Sequence, residues 1–468
     1  MATITKRGSS FKITASAGFD FNGNRIRKHM TWTPPEGLTQ RQINKELQRQ
    51  AVLFEEQISA GAVQDSTMRF ADFIDLWLAQ YAKRQLKPKT VEEYEKLLPA
   101  IKNALGHIKL KELKTGHLNA FYNNLQEAGI RHDKKYIRRI NLAAELKSRK
   151  LSKAELHRRS GVSVYSIRAA VDGDAVNHAT AQRICDELGK PLNKVFVETG
   201  AEETLSANTV RHYHRIISSC LNKAVKWGYI TNNPAANAEL PRMEQQEAAY
   251  LEVDDAKRML ELLQDAPIKY RCAITFDLLS GLRRGELLGL RWQDVDFDSE
   301  TIQVVQTLSY VQGKGLFFDT PKNQTSARPL RLSSAAFAVL REYKAWQDKQ
   351  ALACNDAWKN AAGLVFTTED GVPMHPDTLS NWFREFCRSN GLPDVHIHSL
   401  RHTYASMMIA DGTPLVVVSR RMGHAQVSTT ANIYAHVIAS ADEKAAQVTD
   451  VFNDVIAPRP KSKNWQIS

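Results

Sequence analysis

Hydrophobic and polar positions change their spacing several times along this chain, and each change predicts a new element. From Phe11 to Trp32 the period is two. Phe11, Ile13 and Ala15 share one face against Lys12 and Thr14; after an Asn22-Gly23 turn, Ile26, Lys28, Met30 and Trp32 oppose Arg25, Arg27, His29 and Thr31. This reads as a small sheet with one cationic face. Pro34-Pro35 ends it, and Ile43, Leu47, Ala51, Phe54 and Ile58 then recur at three- and four-residue steps. That stripe belongs to a helix that stops near Gly61 and covers the sheet's apolar side. Residues 1–62 are therefore read as one sheet-plus-helix domain with Arg25, Arg27 and His29 on its open face.

From Met68 the spacing is helical. Phe70, Phe73, Ile74, Trp77, Leu78 and Tyr81 make a wide apolar stripe, Thr90 and Glu93 read as a capping box, and Leu118, Phe121, Tyr122 and Leu125 continue the pattern. It resumes with Val210, Tyr213, Ile217, Leu221 and Val225. Residues 66–130 and 204–242 are read as one all-α domain, interrupted by 131–203. The interruption predicts a helix from Ile140 to Leu146, a capping box at Ser152-x-x-Glu155, a tight turn at Gly161-Val162-Ser163 and a further helix from Val164 to Val171. Two short helices around a glycine-containing turn are the pattern of a helix-turn-helix, with a helical hairpin kept for packing or protein contact as the alternative. Asn232-Asn233-Pro234 and the polar stretch 243–249 mark a linker, and the last domain spans 248–468. The fold class is multidomain α+β, mainly α with small β-sheets.

The 468 residues carry 63 Lys+Arg against 51 Asp+Glu, a formal charge of +12, and residues 131–159 hold eleven Lys/Arg and three Asp/Glu. Such clustering points to a polyanionic partner, double-stranded DNA first, with a solvated basic face as the alternative. A β-ribbon and a helix-turn-helix both place side chains in DNA grooves. With 43% hydrophobic and 24% charged residues, the composition excludes disordered and fibrous classes. No run approaches the ~18 apolar residues of a membrane span, and the first residues, MATITKRGSS, lack a secretory core, so no membrane association and a cytoplasmic location are expected. Cys185, Cys220, Cys272, Cys354 and Cys387 form no CxxC pair, which argues against a disulfide framework or a cysteine zinc site.

Chemistry-bearing residues concentrate in the last domain. Arg283 lies in SGLRRGELLGLRW at a helix boundary marked by Gly281; Lys322 lies in TPKNQTSARPLRL, at an expected hairpin tip after the β-like TIQVVQTLSY and GLFFDT. His398 and Arg401 lie in HIHSLRHTYASMMIADG, on one helix face by their i, i+3 spacing, with Leu400, Tyr404, Met407 and Met408 toward the core. Gly423-His424 follows a short helix, and Tyr434 lies in STTANIYAHV. Singly, each has an ordinary structural explanation. Together and in this order, Arg283, Lys322, His398-x-x-Arg401, His424 and Tyr434 resemble the catalytic set of the tyrosine recombinases. The likeness extends to the arm-binding, core-binding and catalytic layout of phage lambda-type and conjugative-transposon integrases, and leaves out only 131–203. Within that segment, LSKAELHRRSGVSVYSIRAAVDG resembles the Cro/repressor type of helix-turn-helix, which implies that Ser163 caps the second helix and that Tyr165, Ser166 and Arg168 lie on its DNA-reading face.

The resemblance implies a site-specific recombinase that needs no cofactor, metal or ATP. Arg283 and Arg401 would clamp the scissile phosphate, because two guanidiniums neutralise the non-bridging oxygens with fixed paired donors. Tyr434 would attack phosphorus to leave a 3′-phosphotyrosine and a 5′-hydroxyl, and Lys322 would protonate the leaving oxygen. His398 and His424 would hydrogen-bond the phosphate, with His398 also taking the tyrosine proton. Glu286, three residues after Arg283, reads equally as orienting a guanidinium or as a solvated helix charge, and Arg284, about 100° further round a helix, as meeting backbone phosphate or solvent. A homotetramer on core and arm sites is implied, with Val448, Val451, Phe452, Val455 and Ile456 docking on a neighbouring subunit or on their own domain. An excision or directionality factor is a further expected partner. Three other readings stand beside this one: a metal-dependent hydrolase built on His396, His398 and His402, a non-enzymatic helix-turn-helix regulator, and a type IB topoisomerase with the same catalytic set.

Overall fold

The structure, a computed structural model, describes residues 2–19, 25–59, 67–127, 134–199, 204–243, 249–320, 327–435 and 437–438. The chain divides into two compact units, Met1–Glu244 and Gln245–Ser468. Helices dominate, with small antiparallel sheets.

In the first unit, strands β1 (Thr3–Arg7), β2 (Ser10–Phe19) and β3 (Arg25–Trp32) form a sheet in that order. Phe11 lies opposite Trp32 and Ile13 opposite Met30, so the alternating apolar residues share a face. Helix α1 (Gln40–Ser59) closes that face with Leu47, Ala51 and Phe54. On the other face His29 lies opposite Thr14, with Arg25 and Arg27 exposed beside it. The Asn22-Gly23 turn and Gly61 lie outside the described residues.

Helix α2 (Phe70–Trp77) runs into a π-helical turn at Leu78–Ala82, and α3 (Pro88–Leu105) and α4 (Thr115–Leu125) follow. The capping box expected at Thr90 does not start a helix. Pro88 occupies the first turn of α3, where its missing N–H has no intrahelical partner to lose, and Thr90 falls inside.

Residues 134–199 then build a small body of their own: β4 (Lys135–Arg138), α5 (Leu142–Ser148), α6 (Lys153–Ser160), α7 (Val164–Asp172), β5 (Val176–Asn177), α8 (His178–Leu188) and β6 (Phe196–Thr199). The basic run is thus broken up. Its Lys-Tyr-Ile-Arg alternation makes β4 the central strand of a sheet ordered β5-β4-β6 and buries Tyr136. The first helix starts at Leu142 rather than Ile140, because the Asn141 side chain caps it by accepting from Ala144 N. Between α6 and α7, Gly161 takes a φ of 66°, Val162 is buried, and Ser163 Oγ accepts from Ser166 N at 3.0 Å. Leu142, Leu156, Val162, Ile167 and Ile184 share one core.

Helix α9 (Ala207–Lys226) returns to the earlier helices. Its Val210, Tyr213, Ile217 and Leu221 join Phe70, Phe73, Trp77, Leu118 and Phe121 in a single apolar cluster, so two distant stretches of chain bury one another.

The second unit runs α10 (Val253–Leu262), α11 (Ile268–Ser280), α12 (Arg284–Leu288), β7 (Val295–Asp296), β8 (Thr301–Val304), β9 (Thr307–Val311), β10 (Gly315–Asp319), β11 (Arg328–Arg331), α13 (Ser334–Cys354), α14 (Pro376–Ser389), α15 (Ile397–Ala410), α16 (Leu415–Met422) and α17 (Val427–Ile433). Strands order as β11-β8-β7, and β9 pairs with β10. The tip of that hairpin is 312–314; Lys322 instead falls between β10 and β11, outside the described residues. Residues 439–468, with the stripe from Val448 to Ile456, also lie outside them. Among the described residues no helix is long and apolar enough to cross a membrane.

Candidate active site

The site is assembled where α11, α12, α15 and the ends of α16 and α17 meet. Helix α11 stops at Gly281, whose φ is 62°; a Cβ there would sit 2.3 Å from the Tyr404 ring, so the turn requires glycine. Two residues later Arg283 becomes the N-cap of α12, and Glu286 folds back over it. Glu286 Oε1 accepts from Arg283 Nη1 at 2.7 Å and Oε2 accepts from the Arg283 backbone N–H at 3.1 Å. Arg328 of β11 donates to the same carboxylate at 3.1 Å. Burial by itself would raise the Glu286 pKa, but Arg328 and Arg283 outweigh it and hold the group below the ordinary glutamate range.

Backbone carbonyls orient the guanidiniums further. Arg283 Nη2 donates to Gly423 O at 2.9 Å, Arg328 Nε to Arg421 O at 2.7 Å, and Arg401 Nη1 to Gly281 O at 2.7 Å, with Arg401 Nη2 on Met422 O. Gly423 caps α16 with a φ of 62°, and a Cβ would lie 2.7 Å from Arg328 Nη1. Arg401 is 2% exposed; burial, then the charge of Arg283, lowers its pKa to about 9, which leaves it protonated at neutral pH.

Three imidazoles surround Arg401. Its Nη2 donates to His424 Nε2 at 3.3 Å, so His424 Nδ1 carries the proton and donates to Thr430 Oγ1 at 2.8 Å. Burial and the charges of Arg401 and Arg283 push His424 down to about 4. His398 stays open to solvent on its outer side. The protein around its inner side, with His402, Arg401 and Arg283, also pushes it down to about 4. Tyr434, at the end of α17, is 1% exposed and sits among Ala405, Ile409, Val418, Met422 and Val437. Burial raises its pKa to about 12, partly offset by Arg401.

The residue on the Tyr434 hydroxyl is His402, at 2.9 Å from Nδ1, not His398. His402 lies one turn past His398 on the same face, the spacing that could have revealed it. Arg328 was also missed; its signal is the alternating ARPLRL segment. Arg284 is partly exposed, and its Nη1 also donates to Ser380 Oγ at 2.7 Å and Asp377 Oδ1 at 3.2 Å, tying α12 to α14. Met407 is 43% exposed because the buried stripe of α15 runs through Leu400, Thr403, Ser406 and Ile409. His396, His398 and His402 form no metal-binding group, and none exists among the described residues.

The other expected residues belong to the first unit. Arg25, Arg27 and His29 line a shallow cleft with Thr3, Thr14 and Ser16; Arg25 Nε donates to Ser16 Oγ at 3.0 Å. On α7, Arg168 is exposed and Tyr165 half-buried, while the Ser166 hydroxyl is engaged with Ser163 Oγ at 2.8 Å.

Residues 249–440 match the Phage integrase family, and 69–126 and 190–240 match its SAM-like domains. The tyrosine recombinase XerC of Xanthomonas campestris pv. campestris is 31% identical over 257 residues, 54% of this chain and 70% of that protein. The chain belongs to the tyrosine recombinase family. It is thus a site-specific recombinase, a DNA strand-transferring enzyme, and neither the regulator nor the topoisomerase reading is favoured. A XerC-like recombinase of Caldanaerobacter subterraneus subsp. tengcongensis is 29% identical over 284 residues, 57% of this chain and 71% of its own. The recombinase fold is shared with the integrase of transposon Tn1549, solved in complex with a circular intermediate DNA. The TM-score is 0.55 at 16% identity, over 81% of this chain and 99% of that one.

Proposed function

We propose that this recombinase integrates and excises a mobile element by cutting and rejoining duplex DNA through a covalent 3′-phosphotyrosine on Tyr434. The observation that carries the reading is the convergence of Arg283 and Arg401 on the carbonyls of Gly281, Met422 and Gly423, with His424 held against Arg401 and a buried phenol close by. Carbonyls orient Arg401 without cancelling its charge, and the one Glu286 carboxylate is divided between Arg283 and Arg328, so the three guanidiniums together keep net attraction for a phosphodiester and for the charge that builds on its oxygens during attack. His424 and His398, neutral in the free protein, take up protons as the phosphate binds and then donate hydrogen bonds to it. Lys322 protonates the departing 5′-oxygen. The phosphotyrosyl bond conserves the energy of the broken bond, so the second strand joins without ATP.

The sheet-plus-helix domain holds arm sites through Arg25, Arg27 and His29, the helical domain holds the core site, and the segment after His436 docks on a neighbouring subunit in a homotetramer. An excision factor sets direction. The 134–199 body adds phosphate contacts through α7 and its basic residues.

The test is covalent capture: full-length protein is incubated with fragmented DNA of its source organism in excess chelator, denatured, and the attached DNA sequenced. Adducts at a few discrete sites, lost in Tyr434→Phe, are expected. DNA binding with no adduct overturns the reading.

A further inference from the structure

Resting on that assignment of Tyr434, we propose that His402 is the base that takes the proton from the Tyr434 hydroxyl, and that a bound phosphodiester switches it on. Among the described residues the phenol has one hydrogen-bond partner, His402 Nδ1 at 2.9 Å; the tyrosine packs among apolar side chains, with the charge of Arg401 near its hydroxyl. A buried phenol with a single partner donates to it, which fixes His402 as acceptor at Nδ1 with its proton on Nε2. His398, the nearer candidate by sequence pattern, is one ring further away: its imidazole meets His402 edge to face, centroids 4.8 Å apart.

The titratable groups facing His402 are Arg401 and His398 on α15, His424 after α16 and Tyr434 itself; Asp277 of α11 faces Arg401, and Arg421 of α16 is turned to Tyr404. Burial, then Arg401, holds His402 below the ordinary histidine range, so it is neutral and able to accept at pH 7. Arg401 also resists an imidazolium beside it. A phosphodiester on Arg401 supplies the missing negative charge, so proton transfer becomes favourable only with DNA in place. In the step itself the phenolic O–H breaks as O–P forms, the proton moves to His402 Nδ1, and the P–O5′ bond breaks with its oxygen protonated by the general acid. Reversal returns the His402 proton to the phenolic oxygen.

The substrates are the duplexes recovered by covalent capture, so a wild-type protein that yields no adduct defeats the Tyr434 assignment before His402 is addressed. With wild-type adducts in hand, single-turnover cleavage is followed from pH 6 to 9 for His402→Ala and His402→Asn. Asparagine accepts the phenol's hydrogen bond but takes no proton, which separates holding from proton transfer. Both variants should fall by about 10²–10⁴-fold at pH 7, against a flat wild-type profile, and recover with rising pH. DNA carrying sulfur at the bridging 5′ position, a leaving group that needs no acid, should restore neither while restoring a Lys322→Ala protein. Near-wild-type cleavage by His402→Asn, or recovery of both variants on the sulfur substrate, overturns the proposal.

Discussion

Two places in this chain use the same charge arithmetic in opposite surroundings. In the catalytic unit Glu286, its side chain 1% exposed, is shared by Arg283 and Arg328. In the 134–199 body Glu155 is shared by Arg158 and Arg159, whose side chains are 76% and 56% exposed. Water and salt screen the second triad, so it decorates a helix surface and leaves its arginines mobile enough to exchange carboxylate for phosphate. The first triad is sealed by Arg421 O and Gly423 O. Its carboxylate cannot leave, and its arginines arrive at a substrate already aimed. Burial, not the count of charges, decides whether an ion pair fixes geometry.

The largest difference should come from removing each carboxylate. Glu286→Gln leaves the buried Arg328 guanidinium, and the partly exposed Arg283 beside it, without a counter-charge and should cost about 3–5 kcal/mol, read by calorimetry of the second unit's transition. Glu155→Gln should leave the melting temperature unmoved. Equal responses would erase the distinction. Next, Arg401→Lys cannot satisfy Gly281 O and Met422 O together, and single-turnover cleavage should drop by about 10²–10³-fold. A change of only a few fold would mean that the pocket needs charge alone.

Acidity gives a subtler contrast. His398 and His424 titrate near 4 in the free protein against about 6.5 unfolded, so the free protein loses stability as pH falls from 6.5 toward 4. A bound phosphate favours the charged imidazoles and raises both values. DNA affinity at fixed salt should therefore rise as pH drops from 7 to 5, by up to about tenfold per histidine for each pH unit below its raised pKa, and flatten in a His398→Asn, His424→Asn double variant. The smallest effect concerns the exposed triad: deleting 134–199 should lower the slope of log affinity against log salt by about 0.9 for each phosphate that body neutralises. An unchanged slope would remove DNA from the roles of that body.

Local pattern carried the apolar faces well. Phe11, Ile13 and Ala15, the Phe70–Trp77 stripe and the Val210–Leu221 stripe are each buried where their spacing placed them, because a period of two or 3.6 directly encodes which side is covered. Strand β4 escaped, since four residues in a cationic run carry too few alternations to stand out. In the site, motif strings located Arg283, Arg401, His398, His424 and Tyr434, but not who touches whom. That His402 and not His398 meets the phenol depends on how α17 packs on α15, and the role of Arg328 depends on β11 lying beside a distant helix cap. Neither pairing is local in sequence.

Strands β4 and β6 are antiparallel neighbours, with Lys135 opposite Thr199. Entry to and exit from the inserted body are therefore side by side. Once that body has collapsed, the halves of the helical core, 67–127 and 204–243, are tethered as if by a short link, and the closure entropy of the long intervening segment has already been met. The order of events on the ribosome follows: the insert folds first, and its completion speeds the meeting of α4 with α9 rather than delaying it.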